Sequence, residues 1–495
     1  KECDWSSDVC SSDLEGQQQR TTFKSRLAKE MQLIDQDELL KTVENDVNVF
    51  LKMKRQFFGT DGVRGKVGQH PITPDFMLRL ANAVGQHLTQ TIKRPLVVIG
   101  KDTRISGYML ESSLETGFNS VGVDVVLLGP MPTPGVAYLT QALRANLGVV
   151  ISASHNPFED NGVKFFNAQG HKLPDQWEFD VEQRLSLPPQ WVTSAQIGKT
   201  RRLDDAVGRY VEFCKSTVAN DLSLNGLKLV VDAAHGAAYV AAPKVFQELG
   251  AQVITVGCSP DGLNINQGVG ATHPETLKQA VLQHQADFGI ALDGDADRVQ
   301  MADAKGRLFN GDELLYVLTQ HRLSLGQKVP GVVGTLMTNQ GVEIALRELG
   351  VPLARANVGD RYVLEQLQEQ QWLLGGEGSG HMLILDKHSS GDGIISGLQV
   401  LQACLQTKQS LAQILSKVNL SSQCLVNVRL KTGVDWQTHA SFQATKSSIE
   451  QSLGSLGRVL IRPSGTEPVL RIMVEATQAS VAHECAHRLA DCLTE

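Results

Sequence analysis

At 495 residues the chain is too long for a single hydrophobic core, and several domains are expected. A net charge of −7 and an aromatic content of 5% exclude the basic footprint of a nucleic-acid or anionic-membrane binder and the stacking platforms of a base reader. No apolar run approaches the roughly 20 residues that cross a bilayer, and eight scattered cysteines without CxxC or His–Cys spacing read as the reduced thiols of a cytoplasmic protein.

Residues 1–14, Ser/Asp-rich and lacking the apolar stretch of a signal peptide, read as a translated artefact. Residues 15–52 are polar, with a short helix expected around Leu33–Leu51, and Met53 has the character of a natural start. The segment 1–52 is therefore set apart from the fold. Beyond it, one pattern recurs three times. A β-branched strand (Leu96–Gly100, Leu227–Asp232 or Gly331–Gly334) leads through a polar loop into a helix, and a glycine at 122, 250 or 350 hands the helix to a second strand. Strand, helix, strand at this spacing predicts βαβ units and largely parallel sheets. A third short strand in each copy ends in an unusual loop. These loops are Ser152-Ala-Ser154-His-Asn-Pro157, Asp293-Gly-Asp-Ala-Asp-Arg298 and Glu377-Gly-Ser379-Gly-His381. Ligands of open α/β sheets sit at the carboxyl ends of strands, so three equivalent domains would aim three different loops at one central cleft. The remainder differs. Strands Arg458–Arg462 and Val469–Glu475 flank Pro463-Ser-Gly-Thr-Glu-Pro468, and a helix about Val481–Cys492 completes a smaller α+β domain. Trp191–Arg202 and Lys408–Gln423 read as boundary regions.

Each loop carries its own chemistry. Asp293, Asp295 and Asp297 would repel one another unless a cation neutralised them, and oxygen-only ligands suit Mg²⁺ or Ca²⁺. An EF-hand is excluded, because its sixth and twelfth positions hold Arg298 and Ala304. Ser154 lacks the flanking glycines of a nucleophile elbow, and His155, its sequence neighbour, is poorly placed as its base. A serine that carries phosphate beside a divalent cation fits better. Lys164, shortly downstream, is placed to contact the transferring group or to shuttle a proton. Glu377, Ser379 and His381 offer a carboxylate, a hydroxyl and an imidazole for gripping sugar hydroxyls or an amine. Arg462, Ser464, Gly465, Thr466 and Arg471 make a clamp for a second, non-transferring phosphate. Arg64 and Lys101, in loops near the start, add positive charge for a phosphoryl group. Gly359-Asp-Arg361 and Gly391-Asp-Gly393 read as loop architecture. Gly198-Lys199-Thr200 imitates the end of a P-loop, but Thr193 stands where that motif needs glycine.

Together SASHNP, DGDADR, GEGSGH, RPSGTEP and FGTDGVRG resemble the active-site serine, metal, sugar, phosphate and N-terminal signatures of the α-D-phosphohexomutase family. The resemblance runs from about Met53 to the C-terminus. It implies three similar mixed α/β domains and a smaller fourth around a central cleft, here 53–205, 206–307, 308–420 and 421–495. It implies a phosphoserine at Ser154, with Mg²⁺ held by that phosphate and Asp293, Asp295 and Asp297. Ser154 would carry the phosphoryl group, and Lys164, His381 or Arg64 would assist proton and charge transfer, a choice the sequence leaves open. The implied reaction interconverts the 6- and 1-phosphates of glucosamine on the way to cell-wall precursors, with a sugar bisphosphate as intermediate and primer. Mannose or glucose phosphates are the alternative substrates, and a non-catalytic sugar-phosphate binder or a phosphatase the alternative functions. A homodimer is compatible with this, and nucleic acid and membrane are not expected partners. Ala296 stands where the metal loop often has glycine, so its methyl group requires a residue that avoids positive φ. Gly378 stands where the sugar loop more often has a larger residue.

Overall fold

The computed structural model describes residues 56–59, 61–430, 435–463 and 469–494. The helix expected at 33–51 and the loop residues Ser464, Gly465 and Thr466 lie outside them. Strands β1 (Val63–Lys66), β2 (Leu96–Lys101), β3 (Asp124–Pro130), β4 (Leu147–Ile151), β5 (Asp160–Asn167) and β6 (Thr200–Arg202) form a first sheet in the order β1-β5-β4-β2-β3-β6. The second, ordered β11-β10-β9-β7-β8, contains β7 (Lys228–Asp232), β8 (Gln252–Val256), β9 (Phe288–Leu292), β10 (Val299–Asp303) and β11 (Leu308–Phe309). The third, ordered β13-β12-β14-β15, contains β12 (Val332–Thr335), β13 (Leu353–Ala356), β14 (Leu374–Gly376) and β15 (Met382–Ile384).

These three sheets share one core. A central strand (β2, β7 or β12) pairs in parallel with the next two in sequence, as the βαβ pattern predicts. The last of them then turns back into an antiparallel neighbour, β5, β10 or β15. The sheets are therefore mixed. The connections into those neighbours are shorter than the dozen or so residues that a parallel crossover demands, so each becomes a hairpin. Those hairpin turns are the three unusual loops. Gly122, Gly250 and Gly350, just before the second strand of each unit, have φ of 83°, 102° and 75°, as a left-handed helix exit requires.

A fourth, wholly antiparallel sheet has the order β16-β18-β17, from β16 (Ser422–Arg429), β17 (Arg458–Pro463) and β18 (Val469–Ala476). It packs on helices Ala440–Leu453 and Ala479–Thr494 around its own core of Val428, Phe442, Leu470 and Leu489. Two segments expected as boundaries contribute strands instead. Residues 191–202 end in β6, which extends the first sheet beside β3, and β16 begins at Ser422. Neither strand is legible from hydrophobicity. β6 is three polar residues long and β16 alternates half-buried with exposed positions.

The largest apolar cluster runs through the first three sheets, joining Val150, Tyr210, Val231, Leu292, Leu314 and Ile394. Tyr210 donates its hydroxyl to Asp392 Oδ2 at 2.7 Å, and Asp392 caps helix Gly393–Thr407 by accepting from Ile395 N–H at 2.9 Å. Gly391-Asp-Gly393 is thus architectural. Arg458 of β17 donates to the carbonyls of Leu336 and Thr338 at 2.7 and 2.8 Å, tying the fourth sheet to the third. No helix among the described residues is long and apolar enough to cross a membrane.

His388, buried beside Phe213, hydrogen-bonds the Pro134 carbonyl through Nε2 at 3.0 Å, and burial pushes its imidazole down from 6.5 to about 4. The unfolded chain therefore binds the extra proton first. Stability that is full above about pH 6.5 is lost as pH falls toward 4, by up to about 3 kcal/mol. The urea midpoint of the wild type is expected to drop between pH 7 and pH 4.5 by more than that of His388→Gln, and equal drops would refute this.

Candidate active site

Ser154 lies three residues beyond the end of β4, in the turn that leads toward β5. Ser152 Oγ donates to Asp102 Oδ2 at 2.7 Å and accepts from Ser154 N–H at 2.9 Å. This local bridge holds Ser154 in the left-handed region, at φ 52°, where a non-glycine residue is strained. The side chain is buried, and Oγ donates to Asp293 Oδ2 at 2.6 Å. His155 Nδ1 is 3.5 Å from Oγ. Burial, with Arg298 and Arg64 nearby, pushes its imidazole down to about 4, so it is a weak base, as its sequence position suggested.

Asp293, Asp295 and Asp297 offer ligand oxygens that all lie within 4.8 Å of one another, and all three are buried. Their surroundings are uneven. Burial, then the charges of Asp297 and Asp295, raises Asp293 well above the usual carboxylate range. Burial acts the same way on Asp297, but Lys164 and His381 overcome it and hold that group low. Asp295 Oδ2 accepts from Thr133 Oγ1 at 2.6 Å and Lys164 Nζ at 2.9 Å. Asp295 Oδ1 and Asp297 Oδ1 are buried with no hydrogen-bond partner among the described residues. Orphaned carboxylate oxygens cost free energy that a bound cation removes, so the donor set fits a hard divalent ion. On the opposite sign, Arg64 Nε and Arg298 Nε are likewise buried without a hydrogen bond among the described residues, Arg298 Nε lying 3.9 Å from Asp297 Oδ1, and both are donors suited to an anion.

The loop backbone departs from one expectation. Ala296 does not avoid positive φ. It stands at 60°, fully buried, with its N–H on the Asp293 carbonyl at 3.0 Å and its own carbonyl accepting from Gly393 N–H at 2.9 Å. A left-handed alanine costs about 1–2 kcal/mol, and these bonds hold it there. Gly294 is required by proximity, since a Cβ there would stand 2.6 Å from the Ser154 carbonyl oxygen.

A chain of charges links all three sheets at the cleft. Lys164 Nζ, on β5, lies 2.9 Å from Asp295, 3.0 Å from Asp61 and 3.6 Å from Asp297. Burial alone would lower it, but these carboxylates raise it and keep it protonated. Asp61 also pairs with Arg64 and with Lys172. Lys172 crosses to Asp360 at 2.6 Å, at the start of helix Asp360–Gln370. Asp360 lies 3.5 Å from His381 Nε2, whose Nδ1 is 3.6 Å from Asp297. Burial opposes the charge on His381, yet Asp297 and Asp360 raise it to about 9. A backbone bridge between Arg298 and His381 sets the carboxylate loop directly against the loop of Glu377, Ser379 and His381.

Ser154, Lys164, Arg64, His381 and the three aspartates therefore meet as anticipated. Glu377 accepts from Gly359 N–H at 3.0 Å beside them, and Ser379 is exposed on the same loop. Lys101 does not join. It is buried in an ion pair with Glu111, its ammonium 4.0 Å over the ring of Tyr108. Strand alternation turns Lys101 toward helix Ser106–Asn119 and leaves Asp102 to face the serine loop. Asp360, read as loop architecture, instead joins the charge network. Asp61, Thr133 and Lys172 were not singled out at all. Asp61 stood inside a quoted loop, but nothing in its sequence context names its partners. Arg462 and Arg471 occupy directly paired positions on β17 and β18. Burial and the charge of Arg471 lower Arg462, a like-charge pairing that an anion would relieve. Among the described residues, no hydrogen bond or ion pair joins these two arginines to the rest of the site.

The chain matches four domain descriptions in order. Three are the alpha/beta/alpha domains of phosphoglucomutase/phosphomannomutase, domain I over residues 55–187, domain II over 208–306 and domain III over 310–420. The fourth is the C-terminal domain of the same proteins, over 425–492. A phosphoglucosamine mutase of Polaromonas naphthalenivorans is 68% identical over 439 residues, covering 89% of this chain and 99% of the relative. One from Albidiferax ferrireducens is 67% identical over 442 residues, covering 89% and 100%. In fold, the chain is similar to a phosphoglucomutase/phosphomannomutase family protein of Burkholderia thailandensis, with TM-score 0.74, 24% identity and coverage of 89% and 97%. It is also similar to an Aspergillus fumigatus N-acetylphosphoglucosamine mutase solved with GlcNAc-6P and magnesium, with TM-score 0.60, 18% identity and the same coverage of each chain.

Divalent cation added to chelator-stripped protein is expected to raise the melting temperature, by the equivalent of about 2.7 kcal/mol at a hundredfold excess over Kd. Asp295→Asn should lose most of that shift. A wild type that melts identically with and without the cation would rule the site out.

Proposed function

The chain belongs to the phosphoglucomutase/phosphomannomutase family, and we infer that it is a phosphosugar mutase interconverting glucosamine 6-phosphate and glucosamine 1-phosphate. The observation that carries the assignment of the phosphoryl carrier is the bond from Ser154 Oγ to Asp293, inside a pocket that holds two more carboxylates and the ammonium of Lys164. Asp293, Asp295 and Asp297 would hold Mg²⁺ beside that oxygen. When bound, the ion offsets the negative charge of the phosphoryl group.

The residues of the chain divide the remaining work. In the first half-reaction the P–Oγ bond of phosphoserine 154 breaks as a bond forms from phosphorus to the free hydroxyl of the sugar monophosphate. The proton of that hydroxyl ends on Ser154 Oγ, which then donates to Asp293 as in the structure. The sugar bisphosphate reorients, the bond from its other phosphorus to the sugar oxygen breaks as phosphorus bonds to Ser154 Oγ, and the proton of Oγ ends on the freed sugar hydroxyl. Lys164 is held protonated by its carboxylate partners, so it contributes charge to the transferring group. Arg64 and Arg298 offer to the same group Nε–H donors that make no hydrogen bond among the described residues. Glu377, Ser379 and His381 grip the sugar, and Arg462 and Arg471, with the loop between them, hold whichever phosphate is not reacting.

With Mg²⁺ and a catalytic amount of sugar bisphosphate, glucosamine 6-phosphate should convert to the 1-phosphate, followed by phosphorus NMR, and faster than the phosphates of glucose or mannose. The intact mass of the active enzyme should fall by one phosphoryl group on phosphatase treatment. Ser154→Ala should show neither the mass change nor turnover above background. Full activity in that variant would sink the assignment of Ser154, and steady release of inorganic phosphate would mark a phosphatase.

A further inference from the structure

Asn266 stands outside every loop described above, yet it reaches the serine. It follows β8 in the chain, and its N–H donates to the Ala234 carbonyl at 2.8 Å, which anchors it to the second sheet's domain. Its φ is 60° and its side chain is buried. Nδ2 donates to the carbonyl of Ser154 at 2.9 Å and to that of Asn156 at 3.1 Å. Both partners are acceptors, which orients the amide nitrogen toward them. The amide oxygen, in consequence, is buried without a partner among the described residues, a cost that a residue kept only for packing would not carry.

The same two carbonyls are held from the other side. Arg104, wholly buried, donates from one guanidinium nitrogen to Ser154 O at 3.0 Å and Asn156 O at 2.8 Å. Its other nitrogens bond Asp102 and the carbonyls of Pro157 and Asp160. All of these belong to the first domain, so Arg104 fixes the shape of the serine loop and leaves its distance to the neighbouring domain unset. Asn266 bonds the loop from the domain that carries Asp293, Asp295 and Asp297. Gly294 of the carboxylate loop fits beneath the contact, because a Cβ there would lie 2.8 Å from Asn266 Nδ2.

We propose that Asn266 is a positioning residue for phosphoryl transfer, a clasp between two domains that sets the separation of Ser154 from the three aspartates. The proposal rests on the reading of Ser154 as the phosphoryl carrier. Without the clasp the serine loop keeps its own shape but loses its backbone tie to the second domain, which leaves the side-chain bonds of Thr133 and Lys164 to Asp295 to hold the two together. Transfer slows while the sugar-gripping loops stay intact. The phosphoserine also becomes open to water, whose oxygen bonds to phosphorus as the P–Oγ bond breaks. One water proton goes to Ser154 Oγ, and inorganic phosphate leaves.

Two variants test this in the full-length enzyme. Asn266→Gly keeps the positive φ and removes the amide, and Asn266→Asp keeps the size and removes the donors. Each is expected to lower kcat on glucosamine 6-phosphate about 10- to 100-fold with KM nearly unchanged. Each should also release inorganic phosphate from isolated phosphoenzyme several-fold faster than the wild type. Wild-type kcat and phosphate release in both variants would overturn the proposal. So would a rise in KM alone, or a fall in kcat that only tracks the loss of folded protein. Failure of the wild type to turn over the sugar phosphate, by contrast, would refute the reading of the reaction itself.

Discussion

Three carboxylates buried within 4.8 Å of one another, beside a serine hydroxyl, are the constraint from which the rest of the cleft follows. Burial without compensation would drive such groups to neutrality or unfold the loops that hold them. The protein meets the constraint with cations drawn from elsewhere. Lys164 and Arg64 come from the first sheet, and His381 comes from the loop after β14 of the third. Lys172 and Asp360 extend the same alternation of charge across the first and third domains. Even so, two carboxylate oxygens remain without a hydrogen bond among the described residues, an arrangement that fits a metal ion.

The repeated fold makes this convergence economical. Each of the first three domains turns a parallel strand back on itself in a hairpin at the same place in its sheet, and each hairpin carries different side chains. One topology thereby brings together a serine hydroxyl, three carboxylates and a loop bearing Glu377, Ser379 and His381. The apolar cluster that runs through all three sheets holds them in fixed relation. Backbone bonds then refine the fit, as between Arg298 and His381 and between Ala296 and Gly393.

Strain collects where the loops meet. Ser154, Ala296 and Asn266 all adopt left-handed backbone conformations. Ser154 and Asn266 are held by bonds within their own domains, and Ala296 also accepts from Gly393 of the third. At Ser154 the strained backbone is built within the first domain, by Ser152, Asp102 and Arg104, and contacts between domains are added to it.

Ser154, the three aspartates, Lys164, Arg64 and His381, which the structure brings together, were legible in the linear chain because residue type and spacing express local demands. Alternate aspartates after an apolar strand, a serine at a strand end and paired arginines around a proline-rich turn each declare themselves within a few positions. The βαβ periodicity and the helix-ending glycines declared the repeat for the same reason. Tertiary structure alone decided who meets whom. It turned Lys101 away into a pair with Glu111 and brought Asp360, Lys172 and Asp61 in. It also set Asn266 against a serine 112 positions away. Those contacts depend on how separate domains dock, and docking is fixed by packing and charge between segments far apart in the chain. Local periodicity contains no record of it, so Ser154 could be picked out from the sequence, while the means of holding it in place could not.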